Sequence, residues 1–383
     1  MLRKASDLRI RDHVLNVAEF LNKAETAFPR LIDYKMLRVK KVHFGDVDFN
    51  DSFFDTLKED YKPGFIPWFE KKRKENEEAY VFYEDNVLKG FLYIKVEDKN
   101  ERYDDIVPPM PSKKRLKIGT FKIKSTGLRV GERFLKIIFD NATKQDVDEI
   151  YVTMFENKRE EVLALRNLLE KWGFVRWGVK DKNESVFVKN MREYREDESP
   201  MFNYPLVKEN PRYWFLPIEP EYHTDLFPDL ILSTEDQTLY NEDKAHRYAL
   251  EKVYVSGVWK VDARPGDFLL IYRKGNRWPK KYSSAVTGIA IFEETLFPKT
   301  LEEYLKACKN ITIFSEQQLK DFYNRRQYRC IIKLIDYKRF DKVVILDELI
   351  KMGIIGPDSG PRQFDLITEH QFSNIIEKSK KQQ

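Results

Sequence analysis

Two glycines and two arginines stand where a predicted strand passes into a predicted helix. Gly127 and Gly131 follow Arg115–Ile123, a segment whose apolar, aromatic and alternating lysine residues predict a strand. Arg129 and Arg133 flank the second glycine. Glycines at such a junction leave backbone N–H groups uncovered, and the start of a helix adds a partial positive charge. The spacing therefore predicts an anion site suited to a pyrophosphate, although a plain surface turn would use the same residues.

The elements that must position this loop follow in a regular order. Apolar residues at helical spacing predict one helix over residues 132–142 and another over 158–172. Short apolar runs predict strands over residues 148–155 and 185–189. Gly173 is placed to end the second helix.

This order resembles the acyl-CoA-binding half of the GNAT N-acyltransferase superfamily, over roughly residues 37–190. The family loop follows the pattern (Gln/Arg)-x-x-Gly-x-(Gly/Ala), and the aligned segment here is Thr126-Gly-Leu-Arg-Val-Gly131, with Arg129 at the middle glycine. A later family element, Glu-Lys-x-Gly-Phe, matches residues 170–174. The tyrosine that often protonates the CoA thiolate is replaced by Leu169.

The resemblance implies acetyl-CoA as co-substrate, held by backbone amides and by the two arginines of the loop. The implied cofactor-binding residues are Phe121, Ile123, Leu128, Arg129, Val130, Gly131, Glu132 and Arg133. No catalytic residue is assigned, because Tyr151, Tyr194 or a water could replace the usual tyrosine, and the domain could also bind CoA without turnover.

The segment before the loop supplies further predicted elements. Residues 1–36 are predicted to form one amphipathic helix, interrupted by a proline, and residues 37–195 are predicted to form the acyltransferase-like domain. Two aromatic-rich strands around Asp85-Asn86 predict a hairpin. Glu97 or Asp98 at its end could act as a general base on an amine, but an exposed turn is the commoner role for such residues.

Residues 196–250 are predicted to be a linker and an irregular segment leading into a second domain over residues 251–383. Strands dominate there, including 268–274, 283–292, 329–335 and 342–346, which fits a small open barrel. The order of a Pro-Gly-Asp turn, a Phe-x-x-x-Tyr strand and a Gly-x-x-x-Phe strand resembles the PUA-like superfamily, in particular its ASCH and EVE branches, over roughly residues 250–380.

That resemblance implies binding of RNA, or recognition of a modified base in a pocket. Basic residues interleaved with Tyr and Trp suit phosphate contact and base stacking. The predicted nucleic-acid contacts are Arg264, Tyr272, Arg273, Lys274, Arg277 and Trp278. The alternative is a solvated basic loop on the surface of the barrel.

Composition narrows the class of protein. The net charge is +5, from 68 basic and 63 acidic residues, which does not by itself indicate nucleic acid. Two cysteines predict no disulfide framework, and five scattered histidines predict no metal site. No signal peptide or membrane helix is apparent, so we expect a soluble, cytoplasmic protein.

These observations predict an α+β protein with a mixed-sheet GNAT-like domain and a small PUA-like barrel that carries inserted helices. The favoured function is acyl-CoA-dependent N-acyl transfer to a nucleic acid or a nucleic-acid-associated acceptor. A non-catalytic nucleic-acid-binding protein with a degenerate GNAT domain is the alternative, and a structural adaptor is a third.

Overall fold

The structure is a computed structural model that describes residues 39–124, 127–156, 159–181, 184–227, 245–357, 360–361 and 363–380. Internal contacts divide these residues into two compact units. The N-terminal unit holds the described residues up to Val207 together with 245–250, and the C-terminal unit holds those of 208–227 and 251–380. The helix predicted over residues 1–36 lies outside the described residues, as does the Thr126 position of the loop.

Both units combine helices with a mixed sheet, so the α+β class is confirmed. The strands are β1 Val39–His43, β2 Glu78–Glu84, β3 Val87–Glu97, β4 Ile106–Val107, β5 Arg115–Ile123, β6 Glu149–Phe155, β7 Val175–Lys180, β8 Glu184–Asn190, β9 Tyr213–Ile218, β10 Glu251–Ser256, β11 Phe268–Arg273, β12 Ala285–Leu296, β13 Cys330–Ile345 and β14 Asp365–Ile367. The α-helices are α1 Asp55–Asp60, α2 Phe65–Lys74, α3 Val130–Lys144, α4 Glu160–Lys171, α5 Pro200–Asn203, α6 Pro220–Leu226, α7 Ala245–Tyr248, α8 Lys280–Ser283, α9 Leu301–Cys308, α10 Glu316–Asn324, α11 Leu346–Lys351 and α12 Glu369–Ser379. Among the described helices, none is long and apolar enough to cross a membrane.

The sheet of the N-terminal unit runs in the order β1-β2-β3-β5-β6-β8-β7-β4. Its neighbouring strands pair antiparallel except for β5 and β6, which are parallel. The predicted hairpin forms from β2 and β3. Its turn residues Asp85 and Asn86 both have left-handed φ, 50° and 62°, as a two-residue turn between twisted strands requires.

Helices cover both faces of this sheet. Phe91 and Tyr93 of β3 pack in an aromatic core with Phe44 and Phe69, on the face that carries α2. Gly90 faces the opposite way, and a Cβ there would lie 2.6 Å from the ring of Phe134 in α3. The missing side chain therefore lets α3 approach the strand closely.

The sheet of the C-terminal unit runs in the order β10-β13-β12-β11-β9-β14. The pair β9–β11 is parallel, and the other pairs are antiparallel. Within the described residues β10 and β14 stand at the two edges, so the predicted barrel is not confirmed and the sheet is open. Buried apolar clusters lie on both of its faces, one around Trp214 and Ile271, the other around Phe215 and Leu270.

Two differences from the sequence-based boundaries concern this sheet. The strands predicted over 329–335 and 342–346 are one strand, β13, which continues through the polar stretch after Asp336, a residue with left-handed φ of 45°. The predicted linker 196–250 is also divided, because β9 joins the C-terminal sheet while α7 belongs to the N-terminal unit. Pairing partners far along the chain decide both outcomes, and local composition does not record them.

Candidate functional site

The parallel pair β5–β6 ends halfway along its strands. Pairing runs from Arg115 opposite Glu149 to Ile118 opposite Val152, and it stops there although both strands continue. On its other side β5 remains paired with β3 up to Ile123. The second half of β5 therefore presents backbone groups toward β6 that have no strand partner within these described strands.

A bulge on β5 coincides with this separation. Thr120 lies opposite Tyr93 and Ile118 opposite Ile94, so Gly119 is the extra residue. A Cβ at Gly119 would lie 2.8 Å from Tyr93 Cδ1, which explains the glycine. A bulge bends its strand and increases the local twist, and it accounts for the divergence of β5 from β6.

A cleft of about 360 Å³ lies in the gap between β5 and β6. Its walls come from both strands, from α1 and α2 on one face of the sheet, and from α4. The lining residues include Thr56, Tyr61, Phe65 and Trp68; Lys117 to Ile123; Val152 to Phe155; and Arg159, Glu161, Val162, Leu165, Lys180 and Glu184. A cleft that crosses a sheet between its strands suits an extended ligand whose arm lies along an unpaired strand edge.

The glycine loop leads from β5 into α3. Gly127 has φ of 71°, and Arg129, the residue before the helix, has left-handed φ of 54°. The side chain of Arg129, the N-cap residue, forms no capping hydrogen bond with the first turn of α3. A Cβ at Gly131 would lie 2.7 Å from Leu168 Cδ2, so this glycine also permits close packing of α3 against α4.

The eight predicted cofactor-binding residues separate into two groups. Phe121 and Ile123 line the cleft. The other six surround the start of α3, where Arg129 forms an ion pair with Glu132, and Glu132 accepts a hydrogen bond from the Leu250 backbone N–H at 2.8 Å. Arg133 is only 5% exposed, so its guanidinium lies within the protein and not at the surface of the loop.

Among the described residues four cations line the cleft, and the sequence analysis proposed none of them. Three form ion pairs with carboxylates: Lys117 with Glu97 at 3.6 Å, Arg159 with Asp60 at 2.7 Å, and Lys180 with Asp105 at 3.2 Å. The fourth, Lys122, donates instead to the Phe53 carbonyl oxygen at 2.5 Å and to the Thr56 hydroxyl. Burial lowers the pKa of Lys122.

Glu97 is buried. The sequence analysis gave an exposed turn as the commoner role for a residue at the end of this hairpin, and Glu97 does not have that role. Its carboxyl accepts hydrogen bonds from the hydroxyls of Tyr151, at 2.6 Å, and Tyr103, at 3.1 Å. Burial, reinforced by Glu97, raises the pKa of Tyr151, and burial raises that of Tyr103 to about 12. Leu169, aligned with the position where the family that the sequence resembles often has tyrosine, is fully buried.

The C-terminal unit has a pocket of about 770 Å³ with aromatic walls. Its rings come from Tyr222, Tyr254, Trp259, Phe314, Phe322, Tyr328 and Phe364, and its charged groups from Glu219, Lys260 and Lys274. Lys274 Nζ pairs with Glu219 at 2.7 Å. Trp259 is 88% exposed at this pocket, an unusual state for so large an apolar side chain.

The six predicted nucleic-acid contacts are spread over different environments. Lys274 lines the pocket. Tyr272 and Arg273 are buried, since the strand that holds them is covered on both faces. Arg264 and Arg277 are exposed, and Trp278 is 83% exposed. Sequence reasoning missed the aromatic walls because they belong to elements separated by more than a hundred residues. Of the residues that line the pocket, only Lys274 was predicted as a contact.

The Pro-Gly-Asp turn has a structural role. Asp267 is fully buried and accepts hydrogen bonds from the backbone N–H groups of Arg264 and Arg212, from Trp214 Nε1 and from Lys208 Nζ. Burial by itself would raise the pKa of Asp267, but these donors lower it below its ordinary value. The turn thus fixes β9 beside β11.

Comparisons with known proteins give structural similarities alone. No protein-family model and no curated protein sequence matches the chain. Similar solved structures include the ASCH protein of Zymomonas mobilis, with a TM-score of 0.30 and 13% identity, covering 43% of this chain and 94% of that one. An N-acetyltransferase of Staphylococcus aureus Mu50 has a TM-score of 0.28 and 9% identity, covering 40% of this chain and 97% of its own. A chain of the NatC complex bound to Gag peptide and CoA has a TM-score of 0.27 and 18% identity, covering 40% and 98%.

The solved structures that resemble parts of this chain thus include both ASCH proteins and acetyltransferases. At TM-scores of 0.30 or less these similarities assign no function, and the residues of the cleft and the pocket must carry any proposal.

Proposed function

We propose that the N-terminal unit is an acyl-CoA-dependent N-acyltransferase that uses acetyl-CoA, and that the C-terminal unit recognises its acceptor, a nucleic acid or a protein associated with one. The observation that carries the proposal is the end of the β5–β6 ladder at Ile118 and Val152, with a cleft beginning there. A gap between parallel strands exposes donors and acceptors in the geometry of a sheet edge, which suits the amide groups of a pantetheine arm.

The start of α3 is the proposed site for the pyrophosphate. The helix dipole favours an anion there, and the Arg129 side chain does not cap the helix in its place. Arg129 forms an ion pair with Glu132, and its guanidinium would bind the phosphate either beside this carboxylate or in its place. Arg133, because it is buried, contributes positive charge at a distance and not a direct contact.

The chemical step is attack of a neutral amine on the thioester carbonyl, for which the protein supplies position and a proton acceptor. Glu97 is the candidate acceptor, since it lies within ion-pair distance of the cleft-lining Lys117 and is held by Tyr151 and Tyr103. The hydrogen bonds from the two tyrosines fix the orientation of the Glu97 carboxyl, which is buried from solvent.

The pocket of the C-terminal unit supports acceptor recognition. Aromatic rings offer stacking surfaces for a base, and Lys260 and Lys274 offer charge to a phosphate. The exposed Trp259 extends the stacking surface beyond the pocket itself. The aromatic rings of the pocket, together with Lys260 and Lys274, are therefore the main proposed contact surface. Arg264, Arg277 and Trp278 are exposed, and their contact with nucleic acid stays a prediction.

Isothermal titration of the full chain with acetyl-CoA tests the first half of the proposal. Binding in the micromolar range is expected, with a rise in the melting temperature by mass action. Neither heat nor a thermal shift at millimolar acetyl-CoA would remove the transferase proposal.

Release of CoA thiol, measured across amine, peptide and RNA acceptors, tests turnover. A specific observation favours the alternative of a silent domain: Leu169, fully buried, provides no hydroxyl at the position where relatives often have a proton donor. Acetyl-CoA binding without release of thiol for any acceptor class would support that alternative. Release that depends on Glu97, lost in Glu97→Gln, would support catalysis.

A further inference from the structure

We propose that Lys122 is a site of self-acylation, at which the chain accepts the acyl group of a thioester bound in the β5–β6 cleft. The proposal rests on the proposed acyl-CoA binding and adds an acceptor within the protein itself. Lys122 lies on the part of β5 that no longer pairs with β6, and it lines the cleft.

The environment of the amine is unusual for a lysine. The residue is 7% exposed, and its Nζ donates to the Phe53 carbonyl oxygen and to the Thr56 hydroxyl. Two acceptors satisfy the two N–H bonds of a neutral amine and leave its lone pair available. A charged amine would carry a third N–H, for which the Phe53 ring 5.0 Å away is the remaining neighbour, and burying that charge without a carboxylate costs free energy.

The other cations of the cleft provide the contrast. Lys117, Arg159 and Lys180 each pair with a carboxylate, whereas Lys122 forms no ion pair within the described part of the chain. Burial is the largest cause of its lowered pKa. Lys124 and Arg159 lower the pKa further, while Glu161 of α4 and Asp55 of α1 oppose them. The neutral form is therefore more populated than for a solvated lysine.

The reaction balances without a further reagent. Neutral Nζ attacks the carbonyl carbon of the thioester, a C–N bond forms, and the C–S bond breaks. The proton released by the amine passes to the leaving thiolate, directly or through water. The products are an N-acylated lysine and CoA thiol, and no oxidant or metal is consumed.

Mass-spectrometric peptide mapping of the full chain after incubation with acetyl-CoA tests the proposal. Lys124 is the matched control, since it follows on the same segment and its Nζ lies 5.8 Å from the same Phe53 ring that Lys122 contacts at 5.0 Å. Because Lys122 lines the cleft and Lys124 does not, a bound thioester should acetylate Lys122 roughly tenfold or more faster than Lys124. Denatured chain measures the uncatalysed background.

The outcomes are distinguishable from those of the proposed function. Faster labelling of Lys122 that excess CoA suppresses, and that Lys122→Arg abolishes while Lys124→Arg does not, supports the proposal. Acetyl-CoA binding by titration together with equal labelling of Lys122 and Lys124 overturns it and leaves the transferase proposal intact. Absence of acetyl-CoA binding, with labelling at the denatured background, overturns both.

Discussion

The cleft of the N-terminal unit and the pocket of the C-terminal unit are built from different parts of the chain. The cleft is framed by backbone: two strands that stop pairing at Ile118 and Val152, and a loop with left-handed residues. The pocket is framed by side chains, seven of them aromatic, from elements between β9 and β14. A backbone site tolerates changes in side-chain type and depends on register, whereas a side-chain site depends on each ring.

Three buried or half-buried lysines, two in the N-terminal unit and one in the C-terminal unit, differ in their hydrogen-bond partners and in the direction of their pKa shifts. In the N-terminal unit the amines of Lys122 and Lys189 bond to uncharged oxygens, and burial lowers their pKa values, that of Lys189 to about 7. In the C-terminal unit Lys333 pairs with Glu294 at 2.8 Å and has a raised pKa despite burial. Partners, and not burial by itself, decide whether a buried lysine keeps its proton.

The largest expected effect is a loss of stability in the C-terminal unit when the buried carboxylate of Asp267 is removed. Asp267→Ala should lower its free energy of unfolding by about 3 kcal/mol, because the buried Trp214 N–H loses its acceptor and the Lys208 amine keeps only the Pro265 carbonyl oxygen. Urea unfolding followed by tryptophan fluorescence measures the loss. Asp262→Ala, at an exposed ion pair with Lys260, is the control and should cost less than about 1 kcal/mol. Equal losses would contradict a special role for the Pro-Gly-Asp turn.

The second prediction tests the buried amine of Lys189 through the pH dependence of stability. The pKa of Lys189 is lowered in the folded chain, so the unfolded chain binds more protons between about pH 7 and the ordinary lysine value, and stability must rise with pH there. From about pH 7 to about pH 9 the gain should be about 2 kcal/mol.

Lys189→Met should remove this gain, whereas Lys171→Met, on an exposed helix end, should keep it. Urea midpoints of the N-terminal unit at the two pH values decide the question. A slope unchanged in Lys189→Met would show that Lys189 keeps its proton in the fold.

The third prediction separates the aromatic pocket from the basic loop. Trp259 and Trp278 are almost equally exposed, but only Trp259 lines the pocket. Trp259→Ala should weaken binding of a single-stranded RNA oligonucleotide by about 2 kcal/mol, the value of one base stack. Trp278→Ala should leave the affinity nearly unchanged in fluorescence anisotropy. The reverse result would return the site to the loop that the sequence suggested.

The smallest effect is expected in the cleft wall. Leu165 of α4 lines the cleft, and Leu163 of the same helix is 44% exposed and does not. Leu165→Trp should raise the Kd for acetyl-CoA roughly tenfold, about 1.4 kcal/mol, by occupying part of the gap. Leu163→Trp should bind as the unchanged chain does. Titration calorimetry compares them, and equal affinities would place the ligand elsewhere.

Local signals explain which features could be predicted. The hairpin around Asp85-Asn86, the helices α3 and α4 and the strand β5 were all predicted from spacing or turn residues within a few positions of one another. The loop after β5 was visible for the same reason. The stop in the β5–β6 ladder was not, because it depends on a bulge at Gly119 that is defined only by the partner strand β3.

The same reasoning applies to side chains. Arg133 looked available beside the loop, but it is buried in the fold, and Glu97 looked exposed but is held between two tyrosines. Tyr272 and Arg273 were predicted as nucleic-acid contacts because basic and aromatic residues follow them in the sequence. They are buried, because their strand is covered on both faces. A sequence pattern shows which side chains lie on the same face of a strand. It does not show which faces are covered by elements that are distant along the chain.

The amino-acid sequence by itself determined the α+β class, the Asp85-Asn86 hairpin, the strand β5, the helices α3 and α4 and the glycine turn into α3, because these depend on interactions between residues close along the chain. Only the tertiary structure decided that β5 parts from β6, that Lys122 has no carboxylate partner in the described part of the chain, and that seven aromatic rings surround one pocket. The physical reason is that strand register and burial are set by contacts between distant segments, which compete with and can override local preference.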